Sequence, residues 1–362
     1  MDSHDKDVRD GLLAASLGAV TASVQPDDGA LAACGESSDV HIFNPFKNFF
    51  GGSERAAMEL ARDIRRHAVG VRVRLWRMGS SYDRRCDAEE PVHYAHPLRF
   101  PLGGTFIFVG AYWNLKPWIT LARPRRVRVV VNTNDMASFR RLLPAYRRMS
   151  ADLGFVFRSR LQRNLHGIDG PVRPSSINLD RFHPAPVSRA HTHDAPFTVG
   201  RVSRDAVEKH HYLYDPELYR TLAREDFRFR VMGGTCLEPL IAGQPNIELL
   251  PAGAVDAAEF YRSLDCFFFR TGTFYDTFAR VVFEAMACGL PVVCDRFGGY
   301  AEHIQHGRNG LLFDGQQQAM ELLREVRRNR ELRLELGAKA RRTAERLFNQ
   351  EAARRRVVEL LT

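Results

Sequence analysis

From residue 39 onward, short apolar runs alternate with stretches in which apolar residues recur every three or four positions. Val40-His41-Ile42-Phe43 has the length and side chains of a buried strand, and Ala56, Leu60 and Ile64 at spacing four predict a helix from Ser53 to about Arg66. Val71 to Trp76 alternates apolar side chains with Arg, and Thr105 to Val109 and Arg128 to Val131 read as further strands. A second series follows Pro184. Phe197 to Val202, Phe227 to Met232, Ile247 to Leu250, Cys266 to Phe269 and Val292 to Cys294 are strand-like, with helical stretches at Asp215 to Ala223, Asp256 to Leu264 and Thr277 to Cys288. Gln316 to Leu361 is helical and charged. Such alternation predicts parallel sheets covered on both faces.

The chain has 362 residues, and single cores rarely grow past roughly 250–300, so two domains are expected. The fold class predicted is α/β, with two doubly wound Rossmann-like domains facing across a cleft. Ligands of such sheets sit at the carboxyl ends of the strands, which places the site in that cleft. The expected division is an extension at 1–38, poorly ordered, domains at 39–185 and 186–344, and a C-terminal helical segment at 345–362.

Composition changes this picture little. With 44% hydrophobic and 26% charged residues, collagen-like, coiled-coil and wholly disordered readings are excluded. No run approaches the roughly 20 apolar residues of a membrane-spanning helix. Six scattered cysteines without a Cys-x-x-Cys pair read as reduced thiols, and the acidic start MDSHDKDVRD differs from the basic head of a signal peptide. A cytoplasmic location is expected.

Charge is distributed unevenly. Residues 39–185 hold 25 basic against 12 acidic residues, a balance of +13, while the whole chain carries +9. Such a field attracts an anionic partner. The competing reading is base composition, since only 5 of the 52 basic residues are Lys. Arg62, Arg65 and Arg66, and Arg140, Arg141, Arg147 and Arg148 around Leu142, Leu143 and Tyr146, fit either a face for an anionic membrane or a solvated helix surface.

The densest chemical signal is YDTFARVVFEAMACGLPVVCDRFGG, Tyr275 to Gly299. Asp276 and Glu284 lie eight residues apart, roughly 12 Å along a helix, too far to act as an acid/base couple on one bond. They fit a grip on two ends of an extended ligand whose diphosphate sits at a helix N-terminus. The alternative is an N-cap and a solvated helix residue, but Glu284 sits inside an apolar run, where a carboxylate needs a partner.

This segment, with EAMACGLPVV, Gly298-Gly299-x-x-Glu302 and Gly307-x-Asn309-Gly310-Leu311-Leu312-Phe313, resembles the C-terminal signature of the retaining, nucleotide-sugar-dependent glycosyltransferases of family 4, which have the GT-B fold. Their usual pattern is Glu-x7-Glu, and Asp276 here is one methylene shorter. The resemblance implies that Asp276 holds hydroxyls of the donor sugar and Glu284 the ribose, with Thr277, Phe278, Ala279, Arg280 and Val281 at the donor. FNPFKNFFGGSERAAMEL is similar to the family's N-terminal glycine loop, in which Gly51 and Gly52 let backbone amides approach the donor phosphate. Val199 to Arg204 with Lys209 resembles the Gly-Arg and Lys pair that neutralises the diphosphate, and Arg204 competes with Arg201 for that role. Gly233 and Gly234 resemble the turn lining the nucleotide pocket. Domain 39–185 would then bind acceptor, 186–344 donor, and the last helix would pack back on the first domain.

The acceptor side carries a weaker signal. Asn134 or Asp135 stands where the family commonly has a His, and a turn explains them equally. No Cys/His/carboxylate cluster suggests a metal, and Asp5-Lys6-Asp7 reads as chance, so no cofactor or metal is expected beyond the nucleotide-sugar co-substrate. The function implied is a metal-independent retaining transferase. It would move a sugar to a glycan or lipid-linked acceptor in bacterial surface polysaccharide or glycolipid synthesis, at the inner face of the membrane. Rivals are a GT-B nucleotide-sugar epimerase and a non-catalytic nucleotide-sugar-binding scaffold. A nucleic-acid partner is not expected, because no RRM, KH or zinc motif is present.

Overall fold

The structure, a computed structural model, describes residues 39–110, 115–133, 135–185, 196–273 and 276–362. The expectations for 1–38, Asn134 and Tyr275 lie outside these residues.

The first lobe is built on a six-stranded parallel sheet of β1 (Asp39–Phe43), β2 (Arg72–Arg77), β3 (Val92–Tyr94), β4 (Thr105–Val109), β5 (Arg126–Val130) and β6 (Asp152–Val156) in the order β3-β2-β1-β4-β5-β6. Helices α1 (Gly52–His67), α2 (Met136–Met149) and α3 (Arg160–His166) belong to this lobe. The second lobe repeats the topology with β7 (Phe197–Val202), β8 (Phe227–Met232), β9 (Ile247–Leu250), β10 (Cys266–Phe269), β11 (Val292–Asp295) and β12 (Leu311–Phe313) in the order β12-β11-β10-β7-β8-β9. Here α4 (Tyr214–Ala223), α5 (Ala257–Arg262), α6 (Arg280–Ala287), α7 (Gln316–Arg328) and α8 (Arg330–Phe348) pack around the sheet. Each sheet reverses its strand order once, between β1 and β4 and between β7 and β10, which opens a crevice at the strands' carboxyl ends.

Two strands escape the periodicity. β3 has three residues, and β6 is an edge strand whose Asp152, Leu153, Gly154 and Phe155 are only partly covered, so neither makes a clear apolar run. Arg128 is a strand residue despite its charge because Asp152 on β6 accepts from its Nη1 at 2.6 Å. The helical tail is broken twice by asparagines. Asn329 and Asn349 each cap the next helix, accepting from Leu332 N at 2.9 Å and Ala352 N at 2.8 Å.

The chain crosses back at the second break. Up to Phe348 it packs on the second lobe, whose core includes Ala340, Ala344 and Phe348. Then α9 (Gln350–Leu361) returns to the first lobe, and Val357, Leu360 and Leu361 join Ala56, Leu60 and Ile64 of α1 in its core. Residues 345–348 therefore belong to α8, and the crossing helix starts at Gln350.

The lobes also touch through polar contacts. Glu302 accepts from Arg160 N at 3.0 Å and Leu161 N at 2.7 Å, supplying from the second lobe part of the N-terminal cap of α3 in the first. Gly299 beside it is obligatory on steric grounds, because a Cβ there would lie 1.8 Å from Thr277 O and 2.6 Å from Ser159 Cβ.

Candidate functional site

A cleft of about 1090 Å³ lies between the lobes. Its first wall is the loop from β1 to α1. Asn44 ties that loop down, donating to Val109 O at 2.8 Å and Ser53 Oγ at 2.7 Å. Gly51 has no room for a side chain, since a Cβ would lie 2.1 Å from Glu54 Oε2 and 2.9 Å from Asn48 O. Gly52 faces the opposite lobe, its virtual Cβ 3.6 Å from Arg280 Cδ. The glycine loop and the 276–284 segment, some 225 residues apart in sequence, thus meet across one gap.

The second wall is built on the end of β7, the 207–209 turn and the start of α6. Asp276 lies four residues before the first residue of α6, so it is not the residue next to the helix. Its Oδ1 accepts from Ala279 N at 2.8 Å and Phe278 N at 3.3 Å, and its Oδ2 pairs with Lys209 Nζ at 3.1 Å. Ala279 takes a left-handed conformation at φ 48°, so α6 begins only at Arg280, three residues later than periodicity predicts. Burial pushes the Asp276 carboxyl up, but the Lys209 charge and hydrogen bond and the two amides outweigh it and hold the pKa below the usual carboxylate range.

Glu284 is 9% exposed and partnered as its apolar surroundings require. Tyr261 Oη donates to Oε2 at 3.2 Å, and Arg280 Nη2 lies 3.5 Å from Oε1. Arg280 in turn donates to Ser175 Oγ at 2.9 Å and Ser176 O at 2.6 Å, tying α6 to the first lobe. Thr277, Phe278, Ala279 and Val281 also line the cleft, as do Arg204, Lys209, Gly51 and Gly52.

Three sequence expectations are corrected. Arg201 does not face the cleft. It is 1% exposed, with Nη1 paired to Asp215 at 3.1 Å and Nη2 donating to the carbonyls of Lys209 and Arg270, so its charge is used inside the lobe. Arg204, at the strand's end, is the arginine that reaches the cleft wall. Gly233 and Gly234 lie behind that wall. Gly233 adopts φ 81° with its virtual Cβ 2.1 Å from Ser203 O, while Val231 crowds Gly234, so both are required by packing. Met232 is the residue of this turn that lines the cleft. Asp135 lines the cleft, but its carboxylate caps α2, accepting from Ser138 N at 2.9 Å.

The structure adds Glu54, which sequence reading passed over. It lies in the first turn of α1, lines the cleft and is almost buried, and loss of water pushes its pKa up against the opposing amides of its own residue, Lys47 and Asn48. Its signal in sequence was a lone acid three residues after a glycine, indistinguishable from ordinary first-turn chemistry. Behind the cleft, Asp295 holds the loop that leads to Asp276, accepting from Thr271 N at 2.9 Å, Thr271 Oγ1 at 3.1 Å and Tyr300 Oη.

The basic helix faces are partly neutralised. Arg62 pairs with Glu59 at 3.0 Å and Arg65 with Glu90, while Tyr146 is fully buried rather than presented outward. Among the described residues, no helix is long and apolar enough to cross a membrane, and no group of three His, Cys, Asp or Glu could hold a metal ion.

Residues 196–329 match the family described as "Glycosyl transferases group 1". The D-inositol 3-phosphate glycosyltransferase of Pseudarthrobacter chlorophenolicus is 43% identical over 68 residues, 19% of this chain and 16% of that protein. The N-acetyl-alpha-D-glucosaminyl L-malate synthase of Bacillus anthracis is 37% identical over 82 residues, 21% of this chain and 20% of that one. The matched stretches thus span a fifth or less of these curated relatives. In three dimensions the likeness extends over both lobes. The crystal structure of HepE from Anabaena in complex with UDP-glucose superposes with a TM-score of 0.70, at 16% identity, covering 90% of this chain and 99% of that one. The fold is GT-B: two Rossmann-like units facing across a cleft.

Proposed function

We propose that the protein is a retaining glycosyltransferase that moves a sugar from a nucleotide-diphosphate donor to a glycan or lipid-linked acceptor. The observation that carries this reading is the meeting of the Gly51-Gly52 loop with the 276–284 segment in one cleft. Glu284, fixed by Tyr261 and Arg280, would accept from the ribose hydroxyls, and Asp276 from hydroxyls of the donor sugar. Lys209, Arg204 and the first-turn amides of α6 would face the diphosphate, where positive charge stabilises the departing anion.

Three features support that assignment. Lys209 is already held beside Asp276, so one cation lies between the sugar-binding carboxylate and the phosphate position. Arg201 backs it indirectly, because its guanidinium holds the Lys209 carbonyl and so fixes the turn. The glycine loop closes the cleft from the other lobe, where Phe50 packs against Gly253, limiting water that would hydrolyse the donor. In a retaining transfer the acceptor attacks on the face the diphosphate leaves, and the leaving oxygen takes the acceptor proton. The chain's task is then positioning and charge stabilisation, with protein cations in place of a divalent metal. HepE was crystallised with UDP-glucose, which makes UDP the first nucleotide to test. The positive first lobe favours an acceptor presented at an anionic membrane, in bacterial surface polysaccharide or glycolipid synthesis.

The test is a thermal-shift panel of UDP, GDP, ADP and dTDP without metal, on wild type and Glu284→Ala. Stabilisation by one nucleotide that disappears in the variant is the expected result. No shift with any nucleotide would sink the donor assignment.

A further inference from the structure

Five consecutive backbone amides in the loop before α1, Lys47 to Gly51, have acceptors inside the protein. Phe49 N donates to Asp83 Oδ2 at 2.9 Å, Phe50 N to Asn48 Oδ1 at 2.9 Å and Gly51 N to Asn48 O at 2.8 Å. The other two, Lys47 N and Asn48 N, donate to the carboxyl of Glu54. Glu54 is the third residue of α1, where an acid ordinarily reaches back to the amide of the N-cap residue. That amide belongs to Gly51 and is already taken by Asn48, so the carboxyl turns to the loop instead. Gly51 leaves the room for it, since a Cβ there would lie 2.1 Å from Oε2 and 2.8 Å from the carboxyl carbon.

The same loop carries a contact across the cleft. Phe50 reaches the second lobe, its ring 2.1 Å from where a Cβ at Gly253 would stand. The Arg85 guanidinium lies 4.8 Å from the centre of the Phe50 ring, and that of Arg55 lies 4.0 Å from the centre of the Phe49 ring. Just upstream the backbone is strained, with Phe46 buried in a left-handed conformation at φ 50°. Such a residue persists only where surrounding bonds hold it: Asn44 and Asp83 bond Phe46 itself, and Glu54 bonds the two residues that follow. Lys47, Asn48, Phe49, Phe50 and Glu54 all line the cleft, and the Arg204 charge of the second lobe acts on the Glu54 carboxyl.

We propose that Glu54 is a positioning residue: by holding the Lys47 and Asn48 amides it fixes the loop in the shape that brings Phe50 to Gly253, and so sets how tightly the cleft holds its ligand. Glu54 acts through Phe50 and the loop backbone rather than by touching the reacting atoms. Its effect on the ligand rests on the nucleotide-donor reading of the cleft, whereas its hold on the loop does not.

The experiment is amide hydrogen exchange of the full chain, read by mass spectrometry on peptides covering 45–53 and 56–66, with UDP affinity measured alongside. In Glu54→Ala the loop peptide should exchange about tenfold faster while the α1 peptide keeps its wild-type rate. Gly51→Ala, at φ −68° and ψ 134° where any residue fits, should do the same by pushing the carboxyl aside, and it stands in should Glu54→Ala fail to fold. UDP affinity should fall about tenfold in Glu54→Ala and in Phe50→Ala, and no further in the double variant, because both act through one loop. Equal acceleration in loop and helix would make Glu54 an ordinary first-turn acid. Unchanged exchange, or losses of affinity that simply add, would likewise overturn the proposal. The two readings fail separately: a wild type that binds no UDP counts against the donor assignment, while an unaffected loop counts against Glu54.

Discussion

Asp295 at the end of β11 is buried, 2% exposed, and desolvation raises its pKa from 3.8 to about 6 against the opposing hydrogen bonds of Thr271 and the charges of Arg270 and Arg201. A carboxyl whose folded pKa lies above its unfolded one binds more protons folded, so stability falls as pH rises from about 4 to about 6 and stays lower above that. At about 1.4 kcal/mol per tenfold change, the burden of the folded carboxylate at pH 8 is about 3 kcal/mol. Asp295→Asn removes the charge and keeps the shape. The amide oxygen can accept from Thr271 N and the amide nitrogen can donate to the hydroxyls of Thr271 and Tyr300, but only one of these can donate to the other, so one hydroxyl hydrogen loses its acceptor at a cost of about 1 kcal/mol. Against the lost charge-assisted bonds, the expected net gain is about 1–3 kcal/mol at pH 8, shrinking toward zero near pH 4. Urea unfolding of both proteins at the two pH values measures it. If Asp295→Asn were the less stable protein at pH 8 by about 1 kcal/mol or more, the Arg201 and Arg270 field would outweigh desolvation and the reasoning would be wrong.

Ala279→Gly relieves a left-handed residue and should stabilise by up to about 1 kcal/mol in calorimetry; a loss of that size would mean the backbone is not left-handed there. Gly253→Ala sets a Cβ 2.1 Å from the Phe50 ring at φ 76°, and should destabilise by about 1–3 kcal/mol in urea unfolding while weakening nucleotide binding; unchanged binding would remove Phe50 from cleft closure. Asp276→Ala should lower turnover with little loss of nucleotide affinity, whereas Glu284→Ala should do the reverse; normal activity in both would refute their roles in a sugar-transfer assay. Activity should also survive EDTA nearly unchanged, and a strict magnesium or manganese requirement would contradict protein cations as the charge at the diphosphate.

Sequence periodicity was sufficient for the sheets because a parallel strand buried on both faces must be a continuous apolar run, as in Cys266–Phe269. It missed β3 and β6, where edge position removes that requirement, and it started α6 too early. The Asp276 carboxylate occupies the amides of Phe278 and Ala279, and the left-handed Ala279 keeps them out of the helix, a local geometry that side-chain spacing does not encode. Chemical legibility followed the same division. Asp276, Lys209 and Glu284 could be singled out by residue type and surroundings, and the structure places all three on the cleft. Arg201 and Arg204 were indistinguishable as letters. Only the tertiary fold puts Asp215 beneath the first and cleft space before the second, because a residue inside the strand and one in the loop that follows differ in burial, not in chemistry. Sequence alone thus determined the two α/β lobes and singled out the 276–284 segment and the Gly51-Gly52 loop. Which charges face the cleft, where Glu54 lies in it, and how α9 ties the lobes together depend on contacts between residues far apart in the chain, which only the folded structure brings within reach.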